Sequence, residues 1–456
     1  MIGATAIVVA SATLLGVIIA GVELGRPRVR GGIDFLRAAN GLYFLCFVVA
    51  PLYLQSADLG PIRAGQWAWM LRTPFHDASY AEASVLALVG YLILLAGYWL
   101  VVRGRTTRPV DGPITSVRYL WYAGVGVAVA GTVSLVVYAL SVGGWFVFFA
   151  QALAFRGNDP PVVSRWAFLT NLAPLVVGAM LMFFALRQYA RGAAQAVATM
   201  LGVAMFAASA AILFHQAGRA AFGAFLATIP LVVAVQRDRF KLRYLVVGGL
   251  VLSLLVVFGA AFFQLARDPR VLLSLPSRDG GAANALRSVV WEFSFPIASL
   301  ANAIRSVPDV VDLRGFYDFP LAVAYLIPQR LTGLVHEPTV SMMNTGLFEA
   351  VGTIPTDLLS FGYFSLALPG ALLTAFGLGA ILGLGERLFP AGADPMRAGL
   401  RVSWAIVLGF RVMYADPQLF WRSGLYLLVT TVVLSLPSIA RRAFPRWGGV
   451  PIPSRA

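Results

Sequence analysis

Long apolar runs alternate along the chain with short polar connections rich in arginine. The runs fall at 2–22, 35–55, 83–102, 119–140, 166–186, 194–214, 219–236, 244–266, 358–384, 399–414 and 419–440. Each is close to the roughly 20 apolar residues that a helix needs to cross a bilayer. The pattern therefore predicts an all-α polytopic membrane protein, one membrane domain over 1–456 with about eleven transmembrane helices. One stretch breaks the alternation. Residues 267–357 mix Arg, Asp, Glu, Pro and Gly, and form a single large connection before the last three runs.

That connection has too much pattern for a linker. From Ala282 to Val307 the sequence ANALRSVVWEFSFPIASLANAIRSV spaces its apolar residues as a helix does, with an interruption at Pro296. It predicts two short amphipathic helices lying against the membrane surface. The apolar patch PLAVAYLIP at 320–328 is too short to span, and is expected to re-enter or to pack under the loop. In two other connections QWAWML and GGWFVFFAQALAF are rich in aromatics, which reads as interfacial anchoring.

Composition agrees with the pattern. Of 456 residues, 59% are hydrophobic and 12% charged, and mean hydropathy is +0.80. Soluble domains carry about 25% charged residues. Net charge is +15, almost all of it arginine, with Lys241 the only lysine. Its distribution decides what it means. Met1 to Val22 lacks a basic leader, so it reads as a retained span with its N-terminus outside and the C-terminus cytoplasmic. Alternate connections then hold 21 basic and 6 acidic residues, and the rest of the chain 14 of each. All the excess lies on one side, as cytoplasmic loops require, so it is a topology signal rather than a nucleic-acid footprint. Cys46 is the sole cysteine, which excludes a disulfide framework or thiolate metal cluster.

Candidate chemistry gathers on the other, extracytoplasmic side. Arg219 sits in the short turn HQAGR between two apolar runs, and Arg270, Arg314 and Arg330 lie in the large loop. A planar guanidinium fork is suited to phosphate. The bland alternative is that each arginine pairs with a carboxylate or snorkels to headgroups. His336 and Glu337 are adjacent acid–base candidates, and Glu292 is a carboxylate among apolar neighbours. No HExxH, P-loop, GxSxG or acidic DxD pair occurs in the extracytoplasmic stretches, so neither a protein-held metal nor a cofactor is expected.

Three segments together resemble the bacterial oligosaccharide repeat-unit polymerases, the O-antigen (Wzy-type) polymerase family. They are AILFHQAGRAAFGAFLATIPL at 211–231, YLIPQRLTGLVHEPTVSMMNTG at 325–346 and GTIPTDLLSFGYFSLALPGALLTAFGLGAILG at 352–383. They cover part of the chain with loose motifs, and His336-Glu337 stands where the family has a basic residue before proline. The resemblance implies a GT-C-like fold, metal-independent glycosyl transfer and location in the bacterial plasma membrane. It implies a polyprenyl-diphosphate-linked oligosaccharide as substrate, membrane lipids around it, and room for a chain-length regulator as partner.

The resulting expectation is a membrane glycosyltransferase that joins lipid-linked glycan units outside the cytoplasm. Arg219, Arg330, Arg314 and Arg270 would hold the diphosphate, while His336, Glu337 or Glu292 would deprotonate the acceptor hydroxyl. Trp291, Tyr317 and Tyr325 would stack on sugars. Two alternatives stay open: a single-addition glycosyltransferase using a polyprenyl-phosphate sugar, and a flippase or transporter of lipid-linked glycans.

Overall fold

The computed structural model describes residues 2–27, 32–56, 77–103, 114–154, 164–216, 219–238, 290, 292–327, 333, 337–348 and 354–443. Every regular element among the described residues is helical. In chain order these are α1 (Ile2–Gly25), α2 (Phe35–Phe44), α3 (Ala50–Ser56), α4 (Ala78–Val102), α5 (Val117–Ser141), α6 (Trp145–Ala154) and α7 (Leu175–Tyr189). After them come α8 (Ala193–His215), α9 (Arg219–Arg237), α10 (Phe295–Ser306), α11 (Asp318–Ala324), α12 (Val340–Leu347), α13 (Leu358–Leu388), α14 (Pro395–Gly409) and α15 (Pro417–Ala443). A π-helical turn, Leu45–Val49, joins α2 to α3 into one continuous span.

Seven helices among the described residues are long and apolar enough to cross a membrane. They coincide with the runs predicted at 2–22, 35–55, 83–102, 119–140, 166–186, 194–214 and 358–384. The runs at 219–236 and 419–440 lie on α9 and α15, whose apolar stretches are shorter, and the run at 399–414 lies partly on α14 and continues past its end at Gly409. The run at 244–266 lies outside the described residues. The described residues thus form an all-helical, membrane-embedded bundle.

Helix starts are set by local chemistry. Asp34, Asp77, Ser116 and Asp394 each accept a hydrogen bond from a backbone N–H in the first turn of the following helix. Such caps satisfy donors that the helix cannot. Between helices, small residues let backbones touch. A Cβ on Gly131 would stand 2.7 Å from Val176 N, and one on Gly379 would overlap the carbonyl of Leu94. In lipid, where apolar burial gives little net gain, this close packing is what drives helices together.

One end of the bundle collects the arginine-rich connections. Glu23 pairs with Arg26 and Arg37, and Arg26 also pairs with Asp34. Arg401 Nη2 lies 2.7 Å from Glu386, whose other oxygen accepts Phe35 N at 2.9 Å. Tyr189 donates to Asp394, and Val235 of α9 packs on Ala398 and Val402 of α14. Connections grouped together by their charge in the sequence therefore do converge in space.

At the opposite end the loop segment differs from expectation. α10 does not lie on a membrane surface: ten of its twelve residues are buried, and it packs against α4 and α13. Pro296 opens this helix instead of breaking one, because the first turn needs no N–H from it. The patch at 320–328 lies partly on α11, which tucks Leu321 and Ala322 inward and leaves Phe319 and Val323 exposed.

Candidate functional site

The element that shapes the interior is α13. Its 31 residues contain a reversal at Leu366 (φ −145°, ψ 33°) and Ala367 (φ 52°, ψ −142°). The two arms, 358–365 and 368–388, run antiparallel. Thr374 Oγ1 donates to Leu358 O at 3.0 Å, and a Cβ on Gly362 would overlap the carbonyl of Gly370. Pro369, at the start of the second arm, fits a first helical turn. The long arm packs along the second half of α4, where Gly379 meets Leu94 and Gly383 meets Tyr98. The short arm begins deeper. Leu359 presses on Gly90, the midpoint of α4, at 2.8 Å from where a Cβ would stand. The chain therefore dips to the middle of the bundle at 354–357, climbs back along the short arm, and only then crosses.

Non-helical backbone at that depth must have its polar groups satisfied by protein. Here they are. Ile354 N donates to Thr345 Oγ1 at 2.8 Å, and Ile354 O accepts Asn344 Nδ2 at 3.4 Å. Thr356 N donates to Ser341 Oγ at 3.3 Å, and Thr356 O accepts Ala415 N at 2.9 Å. Asn344 Nδ2 also donates to Ser299 Oγ at 3.0 Å. Asp357 caps the short arm through Leu359 N at 2.9 Å, Ser360 N at 3.2 Å and the Ser360 hydroxyl. The result is a polar interior built from α10, α12 and the short arm. Asp357 is wholly buried there, and none of the ion pairs among the described residues includes it. Asn302 is 1% exposed, and its Oδ1 has no hydrogen-bond partner.

A second break faces this dip. Between α14 and α15 the chain makes a 3₁₀ turn at Phe410–Val412 and runs non-helically to Asp416, which accepts Gln418 N at 2.9 Å. Ala415 of this break bonds Thr356 of the other. Arg411 projects from the turn. Its Nε donates to Val407 O at 3.1 Å and its Nη2 to Ser423 Oγ at 3.2 Å, with the guanidinium 5.6 Å from the Phe420 ring centre. Its Nη1 is enclosed and has no partner.

The sequence candidates divide three ways. Arg314, Tyr317, Tyr325 and Glu337 come together around Asp318. Arg314 donates Nε at 2.6 Å and Nη2 at 3.1 Å to the Asp318 carboxylate, which also accepts Val340 N at 3.1 Å. Asp318 thus ties the 314–317 loop to the start of α12. Tyr325 donates its hydroxyl to Glu337 O, the Glu337 side chain is exposed, and Tyr317 is half exposed. Burial and then the Glu337 charge push the Tyr325 phenol above its ordinary range. Glu292 is half-buried and lies just before α10. Trp291, Arg270, Arg330 and His336 lie outside the described residues, as does the side chain of Arg219, the first residue of α9.

No family model, curated protein or solved structure matches this chain. Its chemistry has to be read from its own groups.

Two of those groups do not stand out among the sequence candidates. Asp357 closes a predicted loop in front of what reads as one ordinary span. Arg411 falls inside the apolar run 399–414. Both carry a signal: the first run, at 27 residues, exceeds the roughly 20 of a single crossing, and the second holds Arg411 ten residues past Arg401, inside a predicted span.

His215 shows the opposite case. It is buried, stacked 4.0 Å from Phe148, with Nδ1 2.7 Å from Phe148 O and Nε2 3.2 Å from the Tyr138 hydroxyl. It is fully engaged in holding α6 to α5 and α8.

Proposed function

We propose that this protein is a membrane glycosyltransferase that extends polyprenyl-diphosphate-linked oligosaccharides on the extracytoplasmic face. The observation that carries the reading is the re-entrant dip at 354–357, a hydroxyl-, amide- and carboxylate-lined interior beneath the helices of the large loop. A lipid-linked glycan needs such an arrangement, since its polyprenyl chain stays in the bilayer while its diphosphate and sugar must meet protein polar groups. Arg314, with Arg219, Arg270 and Arg330, supplies positive charge for the diphosphate leaving group. Fixed cations in a water-poor site stabilise the charge that develops as the glycosidic bond breaks. Glu337, His336 or Glu292 takes the proton of the acceptor hydroxyl, and Trp291, Tyr317 and Tyr325 offer faces for sugar rings. A chain-length regulator fits this scheme as a partner at the loop surface.

One observation favours a second reading. Broken helices meeting near mid-bilayer are a hallmark of transporters, and the arms of α13 with the break before α15 have that character. Translocation of a lipid-linked glycan is therefore the competing function. Reconstitution of the purified protein in vesicles with a lipid-linked oligosaccharide separates the two. Polymerisation yields a ladder of products differing by one repeat unit. A single added unit points to the single-addition enzyme, and movement between leaflets without a larger product points to the transporter.

A further inference from the structure

We propose that Arg411 is the anchor of a phosphate-binding site inside the bundle, at the junction of the two chain breaks. The proposal rests on the reading above for the identity of its lipid, but not for the existence of the site.

Four features of the arginine argue for a missing anion. First, it is a guanidinium in the middle of a membrane bundle, a position that is costly without compensation. Second, no ion pair among the described residues includes it, whereas Arg26, Arg37, Arg314 and Arg401 all have one. Asp416, which caps the first turn of α15, acts on Arg411 through its charge but makes no direct bond to it. Third, its donors are used unevenly. Nε and Nη2 are bonded to neutral acceptors, which hold the fork in place, while Nη1 is enclosed and unbonded. A buried N–H left without an acceptor is costly, and more so when the group is charged. Fourth, Phe420 fixes the plane of the guanidinium from one side, and the residue as a whole keeps partial accessibility. A pre-oriented fork with one unused donor suits a phosphate oxygen, which guanidinium binds through short charge-assisted bonds.

The site lies at the chain break between α14 and α15, where Ser423 holds Nη2 in place. The Ala415–Thr356 bond places this site directly against the dip that leads to the Arg314 side of the molecule. The shared chemistry is a phosphate or diphosphate group, which can arrive either on a polyprenyl lipid or as the free anion.

Binding is tested without any sugar. Wild type, Arg411→Gln and Arg411→Lys are placed in phosphatidylcholine nanodiscs, and affinity is measured for undecaprenyl diphosphate in one arm and inorganic pyrophosphate in the other. Arg118→Gln, which removes an exposed arginine far from the site, controls for nonspecific charge. The expected result is a tenfold or greater loss of lipid affinity in Arg411→Gln, partial retention in Arg411→Lys, and no change in Arg118→Gln. Loss of affinity for the lipid alone assigns the headgroup as ligand. An equal loss for pyrophosphate assigns the free anion too. If Arg411→Gln folds and binds both probes as wild type does, the site is refuted. Because the probes carry no glycan, a protein that binds the lipid but builds no ladder keeps the site while losing the polymerase reading.

Discussion

The two ends of this bundle use charge in opposite ways. At the arginine-rich end Glu23, Arg26, Asp34, Arg37, Glu386 and Arg401 form a network in which each charge meets its counter-charge and a helix end. Toward the large loop, Asp357 and Arg411 sit at helix breaks in the interior, and neither has an ion-pair partner among the described residues. Burying a charge is costly in both places. Where each charge has a direct counter-charge, the charges hold helices in register, even though Arg401 Nε keeps no acceptor. Where a direct counter-charge is missing, the cost is being carried for something else, and lone intramembrane charges are where function concentrates.

The largest effect that sharpens this contrast comes from removing one arginine at each end. Arg401→Met leaves Glu386 buried beside Phe35 without its cation, and uncompensated buried charges cost about 3–5 kcal/mol. The double change Arg401→Met with Glu386→Leu should recover most of that loss. Arg411→Met breaks no direct ion pair and leaves only the more distant Asp416 without its cation, so its loss of stability should be clearly smaller than that of Arg401→Met. Thermal unfolding in one detergent, read by fluorescence and size exclusion, compares the three. Equal destabilisation by Arg401→Met and Arg411→Met would remove the distinction between a closed and an open charge site.

How much of this was legible beforehand depends on what each residue's neighbours are in sequence. The spans were readable because apolar length needs no tertiary information, and the charge network was foreshadowed by the clustering of arginine in alternate connections. Asp318 shows the limit. It binds Arg314 four residues away, a local pairing, but also Val340 N twenty-two residues on, which only the fold brings near. The reversal in α13 was hidden for a different reason. Ser360, Ser365 and Thr374 look like ordinary span residues, and the turn uses Leu366 and Ala367 instead of a glycine that would have announced it. Hydropathy measures how apolar a stretch is and is silent about its direction. α10 departs from the surface helix its sequence predicts because amphipathic spacing with small residues fits a surface helix as well as one buried between larger helices.

The next effect in size concerns Arg314 and Asp318, a largely buried pair with a bidentate fork. Asp318→Ala should cost about 1.5–3 kcal/mol, the range for hydrogen bonds to charged groups, and loosen the start of α12. A double-mutant cycle with Arg314→Ala gives the coupling. If Arg314 serves only to hold Asp318, then Arg314→Ala and Asp318→Ala should lower product formation equally. A much deeper loss in Arg314→Ala assigns its charge to the substrate.

Gly362→Val probes the dip with a comparable or smaller cost. Its side chain would meet the Gly370 carbonyl and Thr374 Oγ1 across the arms of α13, and overpacking of this kind costs about 1–3 kcal/mol. The short arm should be displaced while the charge network at the far end is untouched. Protease sensitivity or hydrogen exchange should therefore rise at 354–365 and not at 386–401. A uniform rise along the chain would show that the dip has no independence from the rest of the bundle.

The smallest change in stability, and the most telling about chemistry, is expected from Asp357→Asn. Asparagine caps a helix about as well as aspartate does, so the bonds to Leu359 N and Ser360 N can persist and unfolding should shift by less than about 1 kcal/mol. What disappears is a buried carboxyl group beside Tyr43 and Cys46, in the interior that the dip creates. If that carboxylate only terminates a helix, product formation with lipid-linked oligosaccharide should survive in Asp357→Asn and fall in Asp357→Ala together with stability. If the charge itself is used, either to balance a cation or to accept a proton, both variants should fall at least tenfold. Asp357→Asn would then lose activity while remaining folded. That outcome would place Asp357 with Arg411 as a charge maintained for function, and set both apart from Glu386 and Arg401, which are maintained for structure.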